Sequence, residues 1–169
     1  EALINVVSAA LILSYAVAPV TVAALRRNAP ELVRPFKVKH MGLLGPLSFI
    51  IAALIVYWSG WKTVSWLLSL QILMFVIYLL CGRFVPTMHL SIAQQVRSSA
   101  WLIGFYAATI LLSWLGSFGG IGAIGHPFDT LAVALSALGI YYWGAATGVP
   151  GRLGPSLIHI YEPTRQPEI

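Results

Sequence analysis

The sequence predicts an all-α protein, a polytopic bundle of about five transmembrane helices. Three observations predict it. Of the 169 residues, 59% are hydrophobic and 9% are charged, where soluble domains carry about 25% charged residues. The charges are also bunched: none lies between Glu1 and Arg26, Lys39 and Lys62, Lys62 and Arg83, Arg97 and Asp129, or Asp129 and Arg152. Each run approaches or exceeds the roughly 20 apolar residues that a helix needs to cross a hydrocarbon core of about 30 Å. Finally, the apolarity is continuous, whereas a membrane barrel strand takes about 9 to 11 residues of alternating character.

The first span, 3–25, contains Pro19, which has no N–H to donate to the Tyr15 carbonyl. At about 100° per residue, Asn5, Ser8, Ile12, Tyr15 and Pro19 share one narrow arc of the helix. In hydrocarbon, such a stripe and a freed carbonyl require protein, water or a solute to satisfy them. Ser8, Tyr15 and Pro19 are therefore candidates for lining or hinging a substrate pathway, as broken helices do in transporters. A kinked helix whose polar side chains bond to a neighbour accounts for them equally well.

Spans 42–61 and 63–81 form an antiparallel hairpin about the turn Ser59–Thr63. The turn is bracketed by Tyr57, Trp58, Trp61 and Trp66, rings suited to a membrane–water interface. Gln71, midway along the third span, is expected to make an interhelical hydrogen bond. The fourth span is 99–116 and the fifth is 130–147, with Tyr141, Tyr142 and Trp143 near its end. No Asp, Glu, Lys or Arg falls inside these bounds.

Basic residues mark the cytoplasmic side of a membrane protein. Arg26, Arg27, Arg34, Lys37 and Lys39 follow the first span, Arg83 and Arg97 follow the third, and Arg152 follows the fifth. The alternate connections hold Lys62 or no basic residue. The expected arrangement in the cell membrane thus puts Glu1 outside and the C-terminus in the cytoplasm. The formal net charge of +5 is explained by lipid headgroups and topology, with no nucleic acid as partner. Residues 156–169 lack apolar periodicity; they read either as a disordered tail or as translated sequencing adaptor, which "SLIHIYEPTRQPEI" resembles.

Other motifs exclude more than they suggest. Gly120, Gly122 and Gly125 in "SFGGIGAIGHPFD" spell G-x-G-x-x-G, but a dinucleotide fingerprint needs a preceding strand and an acid about 20 residues on. The segment reads as a flexible outer loop, with His126 and Asp129 as surface polar residues. A zinc site takes three or four converging ligands, so no metal is expected. With no cofactor motif and no nucleophile–base arrangement, the chain is not expected to be an enzyme.

"ILSYAVAPVTVAALRRNAPELVRPFKV", Ile12 to Val38, resembles the tenth helix and following cytoplasmic loop of the amino acid, polyamine and organocation permease superfamily. Tyr15, Pro19, the run Ala23 to Arg27, Pro30 and Arg34-Pro35-Phe36 carry the resemblance, and the hairpin "YWSGWKTVSW" extends it through helices eleven and twelve to Arg83. Helix count alone relates the last two spans to helices thirteen and fourteen of the branch containing proton-coupled aspartate and glutamate carriers. The resemblance implies a partial inverted-repeat permease fold: the C-terminal fragment of a secondary active amino acid transporter working by alternating access. Its partners would be the missing N-terminal helices, membrane lipids, an amino acid and protons. Substrate in such folds is held by the first and sixth helices, which this chain would lack. A small structural or assembly subunit of a membrane complex is the alternative.

Overall fold

The computed structural model describes residues 2–30, 38–82 and 92–147. They form five helices and no strand: α1 (Ala2–Asn28), α2 (Met41–Trp58), α3 (Trp61–Gly82), α4 (Ile92–Leu115) and α5 (Phe128–Ala146). Four of them, over Ile4–Asn28, Met41–Trp58, Trp61–Cys81 and Val96–Leu115, are long and apolar enough to cross a membrane. The fifth, α5, is 19 residues long and falls outside that group, being diluted by Asp129, Thr130 and its terminal tyrosines. It packs against α1, α2 and α4.

The helix bounds differ from the apolar runs for local reasons. α2 stops at Trp58 because Gly60 takes a positive φ of 87°, conformational space open to glycine at little cost, and the chain re-enters helix at Trp61. α4 begins seven residues before its apolar run, at Ile92, since a helix can project a polar first turn beyond hydrocarbon that a hydropathy count cannot see. At the start of α2, His40 adopts left-handed geometry with φ 56°, and its carbonyl accepts the N–H groups of Leu43 and Leu44. α1 continues unbroken through Pro19.

Packing follows small-residue ridges. Ala9, Leu13, Ala16 and Val20 form the buried edge of α1, Phe49, Ala53 and Val56 that of α2, and Val133, Ala137 and Tyr141 that of α5. In lipid, the surroundings are as apolar as the core, so close van der Waals approach replaces the hydrophobic effect as the association force. Gly144 permits such an approach: a Cβ there would lie 2.6 Å from Val20 and 2.8 Å from Trp101. Phe49 joins three helices, its ring centroid 5.0 Å from Phe105, 6.1 Å from Tyr141 and 6.4 Å from Trp101. Leu43, Trp66, Leu73 and Leu80 point outward, as expected of helices solvated by lipid.

Candidate functional site

The chain between α4 and α5 is held by its own backbone, which corrects the expectation of a flexible loop. The last carbonyls of α4 have no helical donors ahead of them. Ile121, Ile124 and Gly122 turn their N–H groups back to Trp114, Leu115 and Gly116 at 2.7, 2.9 and 3.1 Å. Gly119 and Gly122 supply positive φ values of 81° and 69°. Gly120 passes so close to the carbonyls of Ser113, Trp114 and Gly116 that a Cβ would collide with them. The G-x-G-x-x-G spacing is thus part of a helix cap. Phe118 also accepts the Trp61 N–H at 2.9 Å, tying the cap to the α2–α3 turn.

Asp129 anchors this end, and here too the sequence reading is corrected. Expected as a surface residue beside His126, it lies in the first turn of α5 at 1% exposure. One carboxylate oxygen accepts the Tyr57 hydroxyl at 2.7 Å, the Ser117 N–H at 3.2 Å and the Ser117 hydroxyl. The other accepts the Thr130 N–H at 2.6 Å and the Thr130 hydroxyl at 3.2 Å. A buried carboxylate needs such donors to offset lost hydration. The Ser117 N–H would have continued the α4 ladder onto Ser113, so Asp129 also ends that helix. Tyr57, read as an interfacial ring, is instead fully buried, with its hydroxyl against Gly116. His126 remains largely exposed, its Nδ1 3.5 Å from Asp129. Among the described residues, no group of three metal-binding side chains forms.

The arc on α1 lies away from the core. Helical geometry puts Asn5, Ser8, Ile12, Tyr15 and Pro19 about 90° around from the buried ridge. Asn5, Ser8 and Tyr15 are exposed, Tyr15 at 73%, while Ile12 and Pro19 are half-buried. Ser14 and Thr21 satisfy their hydroxyls on the Leu11 and Val17 carbonyls at 2.7 and 3.0 Å. The side chains of Asn5, Ser8 and Tyr15 make no corresponding bond among the described residues. Gln71 likewise lacks the interhelical bond expected of it there; it opens onto a cleft of about 250 Å³ shared with Phe75, Leu102 and Tyr106.

Arg26, Arg27 and Lys39 gather at the opposite end of the bundle from Asp129. The Arg26 guanidinium reaches the Val38 carbonyl at 3.5 Å, and the Tyr141 hydroxyl lies against Gly45. Arg34 and Lys37 lie outside the described residues, as do His89 and residues 156–169.

Comparison with known proteins follows the same direction. Over 151 residues, 89% of the chain, the sequence is 57% identical to the aspartate-proton symporter of Bacillus subtilis (strain 168). Over 148 residues, 86% of the chain, it is 29% identical to the glutamate/serine transporter AimA of that organism. The chain is similar to membrane transporters. It spans 29% and 27% of the lengths of these two relatives. No family model matches the chain, and no solved structure does. With helices of this length and apolarity, the similarity makes it a multi-pass membrane protein, and the likeness is to transporters rather than enzymes.

Proposed function

We propose that this chain is the C-terminal part of a secondary active, proton-coupled amino acid transporter of the permease superfamily named above, moving an acidic amino acid by alternating access. The observation that carries the reading is the 57% identity to an aspartate-proton symporter across 89% of the chain. The exposed polar arc on α1 supports it: Asn5, Ser8 and Tyr15 on a helix that can span a membrane are costly to leave in lipid. A longer carrier would cover them with its other helices or with a hydrated path. Ser8 and Tyr15 then line that path and Pro19 gives α1 a point of flexure, while α2 to α5 serve as scaffold. Arg26, Arg27, Arg34, Lys37 and Lys39 face the cytoplasm.

The test is uptake by proteoliposomes. The complete gene product containing this chain should accumulate radiolabelled aspartate when the outside is acidified, and a protonophore should abolish the accumulation. Uptake indifferent to the proton gradient would remove the coupling. The 169-residue chain alone should transport nothing, and saturable uptake by it would overturn the assignment of the binding helices to other parts of the carrier.

A further inference from the structure

At the basic end, three features converge that membrane topology alone does not require. The Arg26 guanidinium reaches the Val38 carbonyl at 3.5 Å. Lys39, exposed, follows directly on Val38, the residue that Arg26 reaches. Tyr142 and Trp143, exposed at 57% and 44%, border this end from α5. Asp129, the only carboxylate among the described residues, is at the far end. Topology is satisfied by basic residues anywhere in a loop; a guanidinium drawn to the backbone beside an exposed lysine brings two cations within reach of one phosphate.

We propose that the basic end of α1 and α2 binds the phosphate of an anionic phospholipid headgroup, with Arg26 and Lys39 as direct contacts and Arg27 flanking. The cations sit where the apolar stretches of α1 and α2 end, the depth of headgroup phosphates. Basic pockets between membrane helices are known to take such headgroups. The Tyr142 and Trp143 rings suit the neighbouring interface. The proposal does not depend on what the protein transports.

The test uses the complete gene product purified in a neutral detergent, with melting temperature followed as lipid is added. Dioleoyl phosphatidylglycerol should stabilise it at lower concentration than phosphatidylcholine of the same chains, and raised salt should weaken that preference. Removing one cation should shift the half-point by about fivefold and removing two by more, so Arg26→Gln with Lys39→Gln should abolish most of the preference, while Lys62→Gln at the other end leaves it intact. Lys39→Gln alone, a change to an exposed side chain, serves if the double variant does not fold. Equal stabilisation by the two lipids, or a preference that survives these substitutions, overturns the proposal. So does millimolar inorganic phosphate reproducing the full effect, which would make a free anion the ligand.

Discussion

The two ends of the helix bundle are built on opposite electrostatic plans. At one, the carboxylate of Asp129 is buried and surrounded by neutral donors from Tyr57, Ser117 and Thr130. At the other, Arg26, Arg27 and Lys39 have no carboxylate near them among the described residues. The first plan closes the bundle, since a buried charge must be met from within. The second leaves cations for something outside the helices. A bundle of nearly uncharged rods thus gains a closed end and an open one from very few polar residues.

The largest expected effect breaks the closed end. Asp129→Ala removes the common acceptor of α2, the α4 cap and α5, leaving buried donors unmet; at about 1–3 kcal/mol for each stranded group, the loss should be about 3 kcal/mol or more, seen as a lowered melting temperature in detergent. Asp129→Asn should fall between it and the native protein, because the amide keeps one acceptor but turns a donor toward other donors. An Asp129→Ala variant as stable as the native chain would mean that the clasp holds nothing. Tyr57→Phe should cost about 2 kcal/mol, as the loss of one hydrogen bond to a charged acceptor does. Arg27→Gln and Tyr15→Phe should change stability by less than about 0.5 kcal/mol, as exposed substitutions do; Tyr15→Phe should nonetheless slow transport by the complete carrier if the arc lines its path. The comparison is sharpened without any energetic effect by a Cys81→Ser background carrying Lys39→Cys or Phe128→Cys. An impermeant thiol reagent on intact cells should label Phe128→Cys and spare Lys39→Cys. The reverse pattern would invert the expected orientation.

Much of the architecture was legible because lipid imposes a simple rule. Backbone groups in hydrocarbon must pair within their own segment, so long apolar runs declare helices, and bunched charges mark where they end. The transporter likeness was legible too, through the order of Tyr15, Pro19, the Arg26-Arg27 pair and Arg34-Pro35-Phe36. Asp129 and Tyr57 were misread for one reason. A hydropathy count assigns a carboxylate to water and a tyrosine beside tryptophans to the interface, and neither assignment reveals that each is the other's partner across 72 positions of sequence. The glycines of the α4–α5 connection were misread similarly: their purpose lies in which carbonyls they face.

The sequence by itself determined that the chain forms apolar helices, where most of them start and stop, and which end gathers positive charge, because these follow from local transfer energies and backbone hydrogen bonding. Only the tertiary structure decided that Asp129 is buried, that Tyr57 turns inward, that the glycine-rich connection is a cap, and that the polar arc of α1 lies away from the bundle's core. Those outcomes depend on which helix faces meet. Between helices of similar apolarity in a common apolar solvent, that choice is made by small residues permitting close approach and by a few buried hydrogen bonds between residues far apart in the chain.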